Sequence, residues 1–167
     1  MPLKILIAED DEDIARQYQI GLDALGHEVY LTKNGEECIK NYTYNLSFNN
    51  ENRSTPYDVV VMDYLMPVRD GLSVAKEILE KCPKQRIIFV TAYGPKLLSE
   101  LNDFDGQVEM LNKPISLTIL IARIENERQK DIAKKLYLGL KKWEKSDGLS
   151  NPTGPVRVTD NYNVISD

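Results

Sequence analysis

Polar side chains that can bind a cation or a phosphoryl group stand where four predicted strands end. Glu9 and Asp10 end the first strand, Asp63 the third, Thr91 the fourth and Lys113 the fifth. Carboxylates held close together disfavour one another's ionisation, and a divalent cation relieves that cost. Carboxylate ligands with open water positions suit Mg²⁺ or Mn²⁺, and such a partly hydrated ion can still accept phosphate oxygens. The set therefore predicts a site for phosphoryl transfer.

Within such a site each residue type has its own chemical task. Asp63 is the candidate nucleophile, Lys113 and the metal ion neutralise the phosphoryl oxygens, and the Thr91 hydroxyl hydrogen-bonds to one of them. Taken alone, each also has an ordinary interpretation: a solvated strand end, a strand threonine and a solvated loop lysine. The occurrence of the whole set at strand ends favours the functional interpretation.

These residues can meet only if their strands lie in one parallel sheet. The central run that begins at Tyr57 and ends at Asp63 is apolar without polar alternation, which is typical of a strand buried on both faces. The other predicted strands are 4–8, 28–32, 86–90 and 108–111. Strands alternating with helices predict an α/β fold, a doubly wound five-stranded parallel sheet with helices on both faces. Ligands bind such sheets beyond the carboxyl ends of the strands.

Apolar spacing and breaker residues predict the helices between these strands. The first runs from Ile14 to Leu25 and is closed by Gly26 in a left-handed conformation. The others are predicted at 36 to about 42, at 72–81, at about 95–102 and from Leu117 onward. Residues 43–56 are rich in Asn and Ser and lack periodicity, so we expect a long inserted surface loop there.

Three further side chains carry predictions of a structural kind. His27 lies in the turn after the first helix, and we expect a surface residue remote from the site. Cys38 and Cys82 have no metal-ligand spacing. They are predicted to be reduced structural thiols rather than a disulfide.

The composition of the chain limits which partners it is expected to bind and where in the cell it is expected to lie. The chain has 167 residues, a net charge of −5 and 42% hydrophobic residues, enough for one domain with an extension. The acidic balance gives no general attraction to nucleic acid or to anionic membranes. No stretch is apolar over the length needed to cross a bilayer, and the first residues run directly into a strand rather than a secretory signal. We therefore expect a cytoplasmic protein without membrane insertion.

Four short motifs together resemble the receiver domain of two-component response regulators, the CheY-like family. They are Ile5 to Asp11, Met62 to Pro67 with Asp70-Gly71, Val90 to Tyr93, and Lys113-Pro114. The resemblance covers about residues 3 to 124, and we take 1–124 as the domain. It implies a flavodoxin-like fold with strand order 2-1-3-4-5, in which strands one and three are neighbours.

The resemblance also implies a role for each site residue. Glu9 and Asp10 are then the metal-binding acids, with the backbone carbonyl of Leu65 and Asp63 as further ligands for Mg²⁺. Asp63 is then the residue phosphorylated by a histidine kinase or a phosphotransfer protein. Thr91 and Lys113 are the switch hydroxyl and the lysine that pairs with the phosphate. The bond between Lys113 and Pro114 is expected to be cis.

Residues at three positions affect how far the switching and dephosphorylation of this family can be expected of this chain. Met110 stands where the family has a switch aromatic residue, three positions before the lysine, and its flexible thioether is expected to repack there instead. Leu65 and Tyr93 occupy the positions that tune dephosphorylation in this family. Both are bulky and neither is a good group for positioning water, so we expect slow self-hydrolysis of the phosphoaspartate.

The C-terminal part is predicted to be a helical extension at 125–147 followed by a flexible or loosely docked tail at 148–167. An apolar stripe along the extended C-terminal helix favours folding back or pairing with a second copy of the chain, giving a homodimer. Its basic residues, such as Arg128 and Lys134, are interpreted as a solvated face. The predicted function is a stand-alone receiver that signals to a downstream protein target; the alternative is a regulator that binds nucleic acid through this basic helix.

Overall fold

The computed structural model describes residues 1–48, 55–94 and 107–126, together with residue 138. Residues Met1–Glu127 form one compact unit, and Arg128–Asp167 form a second. The helix predicted at 95–102 and the tail at 148–167 lie outside the described residues. The helical extension predicted at 125–147 lies outside them too, except for residues 125, 126 and 138.

The fold is an α/β sandwich built on a five-stranded parallel sheet, as predicted. Its strands, in the order β2-β1-β3-β4-β5, are β1 (Lys4–Ala8), β2 (Glu28–Thr32), β3 (Val59–Met62), β4 (Ile87–Thr91) and β5 (Val108–Asn112). Strands β1 and β3 are neighbours, and Ala8 pairs with Met62 at their carboxyl ends. Asp63, the residue directly after β3, donates its backbone N–H to the Ala8 carbonyl at 3.0 Å. The polar residues that follow both strands therefore emerge at the same level.

Helices cover both faces of the sheet. They are α1 (Glu12–Ala24), α2 (Gly35–Phe48), α3 (Gly71–Lys81) and a helical segment at 117–126. One buried apolar cluster joins the sheet to α2 and α3, and a second joins it to α1 and segment 117–126. The strand residues alternate between the two clusters, with Leu6 in the first and Ile5 and Ile7 in the second. No helix in the described part of the chain is both long enough and apolar enough to cross a bilayer.

Local capping explains where α1 begins and ends. The Asp11 side chain accepts hydrogen bonds from the backbone N–H groups of Asp13 and Ile14, which otherwise have no partner in the helix. Gly26 follows the helix with a φ of +79°, the left-handed conformation that the sequence predicted for it. The acidic run after β1 is thus divided, because Asp11 caps the helix while Glu9 and Asp10 stay with the strand end.

The prediction of a surface loop at 43–56 is wrong for its first six residues, because α2 continues to Phe48. Asn45 donates to the carbonyl and side-chain oxygens of Asn41 at 3.0 Å and accepts from the Lys4 ammonium at 3.3 Å. Asn41 in turn accepts a hydrogen bond from the hydroxyl of Tyr57. These contacts with β1 and with the start of β3 override the weak helix propensity of the Asn-rich sequence. Residues 49–54 of the predicted loop lie outside the described part.

The prediction that His27 is a surface residue is also wrong. Only 7% of the residue is exposed. Its Nδ1 atom accepts the backbone N–H of Leu3 at 3.2 Å, and its Nε2 atom lies 3.2 Å from the Glu125 carboxylate. Burial is tolerated because both ring nitrogens have partners. His27 therefore links the start of β1 to segment 117–126.

Both cysteines are free thiols, as predicted. Cys38 is fully buried in the cluster beneath α2 and α3, and Cys82 is half-buried at the end of α3.

Candidate acidic site at the carboxyl edge of the sheet

Three carboxylates converge at the carboxyl edge of the two central strands. Glu9, Asp10 and Asp63 each offer one oxygen, and these oxygens lie within 4.8 Å of one another. Glu9 is buried, Asp63 is half-buried and Asp10 is exposed, so the cluster opens to solvent on one side. The parallel pairing of β1 with β3 brings the acids together across more than fifty residues of sequence. The grouping of these acids is the one expected from the strand ends.

Lys113 supplies a positive charge to the same cluster. Its Nζ atom lies 2.8 Å from Glu9 Oε2 and 2.8 Å from Asp63 Oδ2. Its backbone N–H donates to the carbonyl of Thr91 at 2.9 Å, which holds the end of β5 against β4. The peptide bond between Lys113 and Pro114 is cis, as expected. Lys113, which directly follows β5, thus bridges the acid that follows β1 and the acid that follows β3.

The pKa values of these groups reflect opposing effects of burial and pairing. Burial raises the pKa of Glu9, and the hydrogen bond and charge of Lys113 only partly offset that increase. Burial alone would lower the pKa of Lys113, but its hydrogen bonds to Asp63 and Glu9 overcome that effect and raise the pKa. Lys113 is therefore a permanent cation at neutral pH.

The composition of the cluster fits a divalent cation. The three carboxylates and the single ammonium leave a formal charge of −2 at one edge of the sheet. All the donor atoms are oxygens, the ligand type that Mg²⁺ and Mn²⁺ prefer. The backbone N–H of Leu65 donates to Asp63 Oδ1 at 3.3 Å, so the loop after β3 curls back around the aspartate. This hydrogen bond places the Leu65 backbone N–H beside Asp63, and the role of the Leu65 carbonyl as a metal ligand stays a prediction.

Thr91 ends β4, the strand next to β3. The residue is fully buried, and its hydroxyl oxygen accepts the backbone N–H of Tyr93 at 3.2 Å. The threonine thus organises the first turn of the loop that follows β4. Tyr93 itself is half exposed, and so is Leu65 in the loop after β3.

Gly71 determines how closely α3 approaches the acidic cluster. A Cβ atom at position 71 would lie 2.2 Å from the backbone oxygen of Asp63, so only glycine fits. The Gly71 N–H donates to the Tyr64 carbonyl at 2.8 Å, and Asp70 caps the helix by accepting from the Ser73 N–H at 2.9 Å. The Asp70-Gly71 pair was part of the family motifs in the sequence, but its close contact with the Asp63 backbone was not predicted. The sequence signal for this contact was the position of a glycine at the start of the helix that follows the Asp63 loop.

Thr32 is a buried residue beside the cluster that the sequence did not single out. Its carbonyl accepts the backbone N–H of Glu9 at 3.1 Å, and its hydroxyl donates to the Ile7 carbonyl at 3.1 Å. The end of β2 therefore supports the end of β1 that carries the metal-binding candidates. A threonine at the end of a strand gives no local sign of such a role.

Met110 lies in β5 and is half-buried. It packs against the apolar cluster formed with α2 and α3, and a Cβ atom at Gly94 would come 3.2 Å from its methyl carbon. The thioether thus occupies the space between β5 and the loop after Thr91.

Comparison with known proteins identifies the family. Residues 5–125 match the model of the response regulator receiver domain. The chain belongs to this receiver family. It contains the receiver domain of a two-component response regulator, as the four motifs had suggested, and the acidic cluster is compatible with magnesium binding.

Several curated proteins are similar to the receiver domain in sequence. The response regulator receiver protein CpdR of Brucella abortus is 28% identical over 122 residues, which are 73% of this chain and 93% of CpdR. The transcriptional regulatory protein DltR of Streptococcus agalactiae is 31% identical over 82% of this chain, and RprY of Bacteroides fragilis is 34% identical over 74%. The matched regions span only 58% of DltR and 48% of RprY.

Solved structures support the same fold. A response regulator receiver domain protein from Clostridium thermocellum aligns with a TM-score of 0.64 and 27% identity, covering 78% of this chain and 98% of that one. The N-terminal domain of a protein from Wolinella succinogenes aligns with a TM-score of 0.65 and 26% identity, covering 79% and 98%. The fold of the receiver domain is therefore shared with a solved receiver domain protein.

Proposed function

We propose that Asp63 accepts a phosphoryl group from a histidine kinase or a phosphotransfer protein in a Mg²⁺-dependent reaction. The observation that carries this proposal is the pair of 2.8 Å contacts from Lys113 to Glu9 and Asp63. They hold a cation against the carboxylate that would take the phosphoryl group. Receiver domains are in general phosphoacceptors rather than classical enzymes, and we expect the same of this chain.

In the proposed transfer, a carboxylate oxygen of Asp63 attacks the phosphorus of a phosphohistidine. A new O–P bond forms, the N–P bond breaks, and the electron pair of that bond returns to the departing imidazole, which takes a proton from water. The Lys113 ammonium then pairs with an oxygen of the new acyl phosphate, and the Thr91 hydroxyl can turn to donate a hydrogen bond to another. Lys113 would exchange its contact with the Asp63 carboxylate for one with the phosphoryl group.

Four groups of the chain would hold the metal ion. They are the side chains of Glu9, Asp10 and Asp63 and the backbone carbonyl of Leu65, and either Mg²⁺ or Mn²⁺ suits this oxygen set. When bound, the ion supplies neutralisation of the negative charge on the phosphoryl oxygens. The residual charge of −2 in the cluster supports this part of the proposal.

We expect the phosphorylated form to hydrolyse slowly by itself. Leu65 and Tyr93, which lie two residues after Asp63 and two after Thr91, are each about half exposed. An aliphatic group cannot orient an attacking water, and a bulky ring restricts access to the phosphorus. The lifetime of the phosphoaspartate in a phosphate-release assay checks this expectation, and a lifetime of seconds would refute it.

We expect the output to be a contact with a downstream protein. The alternative, binding of nucleic acid, depends on basic residues of the C-terminal extension, which lie outside the described part of the chain. Gel filtration with and without generic duplex DNA, at low and high salt, separates the two. Salt-dependent co-elution with DNA would favour the alternative.

Intact-mass spectrometry tests the phosphoryl transfer directly. The full chain is incubated with Mg²⁺ and acetyl phosphate, and we expect one added phosphoryl group in the wild type. Asp63→Ala should take none, and chelation of the metal should abolish the adduct in the wild type. Asp13→Asn, which neutralises an exposed acid on α1 outside the cluster, is the matched control and should react normally. An adduct of equal yield in Asp63→Ala would disprove the assignment.

A further inference from the structure

Helix α2 carries a ridge of four side chains spaced four residues apart, namely Glu36, Lys40, Tyr44 and Phe48. Tyr44 and Phe48 are 66% and 71% exposed, although aromatic rings normally bury most of their surface. Their ring centroids lie 4.9 Å apart in an edge-to-face arrangement, with 65° between the ring planes. The two rings therefore form one continuous exposed patch, and aromatic residues are enriched at the interfaces between proteins.

The charges on this ridge indicate what kind of surface it can contact. The Lys40 ammonium lies 3.3 Å from the Glu36 carboxylate, and the lysine side chain is 73% exposed. The ridge is therefore neutral, whereas the chain as a whole carries a charge of −5. A neutral ridge gives no net electrostatic attraction to a strongly acidic or strongly basic partner, but it allows two copies of the chain to approach without local repulsion.

We propose that this ridge is the docking surface for a second copy of the chain, with α2 packed antiparallel against α2. Ridges of residues spaced by four interdigitate in the commonest class of helix packing. A two-fold axis midway between Lys40 and Tyr44 places each lysine over the tyrosine ring of the other copy. The cation and the ring face attract each other, and the symmetry forms this contact twice.

The size of the ridge sets the strength of the contact. A helix of 14 residues spans about 21 Å. One such helix per copy buries less than the roughly 800 Å² per partner that is usual for stable complexes. The dimer is therefore weak and depends on protein concentration. Because the ridge includes none of the acidic-site residues, the dimer forms without metal and without phosphorylation.

Sedimentation equilibrium of the full chain, unphosphorylated and free of metal, tests the proposal over a wide range of concentrations. We expect a reversible monomer–dimer equilibrium for the wild type. The double variant Tyr44→Gln/Phe48→Gln and the variant Lys40→Glu should each raise the dissociation constant at least tenfold. Ile20→Gln is the matched control, because it removes a 60% exposed apolar side chain from α1 instead, and its dissociation constant should stay unchanged.

Circular dichroism confirms that each variant is folded, which is expected because the substituted side chains are exposed. A wild type that remains monomeric at the highest concentration would overturn the proposal. A dimer that persists unchanged in the Tyr44→Gln/Phe48→Gln variant would overturn it as well, because the contact would then use another face. Both results would leave the phosphoryl-transfer proposal untouched.

Discussion

The backbone of Gly71 lies against the backbone carbonyl of Asp63, so closely that a Cβ atom at position 71 would come within 2.2 Å of the carbonyl oxygen. The first residue of α3 therefore packs directly on the proposed phosphoacceptor. We therefore expect the position of the Asp63 side chain relative to Glu9 and Lys113 to depend on this contact.

We predict that Gly71→Ala impairs phosphorylation and stability together. The added methyl group must displace backbone rather than a flexible side chain, which costs about 1–3 kcal/mol. The displacement moves Asp63 away from Lys113, so phosphorylation by acetyl phosphate should slow at least tenfold. Gly26→Ala is a suitable control, because Gly26 has a φ of +79° but no atom within 4 Å of the added Cβ. It should lose stability through strain and keep its rate of phosphorylation; equal rates in both variants would contradict the prediction.

Lys113 makes opposite contributions to metal binding and to phosphoryl transfer. We predict that Lys113→Met binds Mg²⁺ more tightly, by roughly tenfold, because the ammonium no longer competes for the oxygens of Glu9 and Asp63. The same variant should take up phosphoryl groups much more slowly, because no ammonium neutralises the phosphoryl oxygens. Isothermal titration calorimetry gives the affinity and mass spectrometry gives the rate.

The exposed ion pair between Lys33 and Glu12 provides the control for this experiment. Lys33→Met also removes a positive charge near the start of α1. The hydrogen bonds of Lys33 go to Glu12 and Glu37, which are not part of the acidic cluster. We expect little change in Mg²⁺ affinity or in phosphorylation. If Lys113→Met bound Mg²⁺ less tightly than the wild type, the competition argument would be wrong.

The strands and the site residues could be predicted because their signals are local. An uninterrupted apolar run such as Val59–Met62 indicates a strand buried on both faces, and the first polar residue after it, Asp63, marks the carboxyl edge. Parallel pairing of β1 with β3 then brings Asp63 to Glu9. The family resemblance added the strand order and the cis bond before Pro114.

Features that depend on distant partners could not be predicted in the same way. The second half of α2 is held by Lys4 and Tyr57, which contact Asn45 and Asn41 from other elements. The burial of His27 depends in part on Glu125, 98 residues away in the sequence. Neither set of contacts leaves a periodic pattern, so propensity alone gave a loop and a surface histidine.

Val68 adopts a left-handed backbone conformation, with φ at +68°, in the loop between Asp63 and α3. A β-branched residue is strained in this region, and Val68 is 82% exposed, so little packing compensates for the strain. We predict that Val68→Gly and Val68→Asn each raise the free energy of unfolding by about 0.5–1 kcal/mol. Urea denaturation measures the change. Val68→Ala keeps a Cβ atom and should gain less; a loss of stability in all three variants would show that the loop is not strained.

Burial of the Cys38 thiol makes the stability of the folded state fall at high pH. Desolvation raises its pKa from 9.0 to about 12, while a hydrogen bond with Thr32 acts weakly in the opposite direction. Because the folded state holds this proton more tightly than the unfolded state, the stabilisation is complete below pH 9 and is lost as the pH rises toward 12. We predict that the wild type loses stability between pH 9 and 11 more steeply than Cys38→Ala, by up to about 1.4 kcal/mol per pH unit. Urea denaturation under reducing conditions at pH 8, 9, 10 and 11 measures both slopes, and the cavity in the variant shifts its curve without changing its slope. Parallel curves for the two proteins across this range would show that Cys38 titrates alike in the folded and unfolded states.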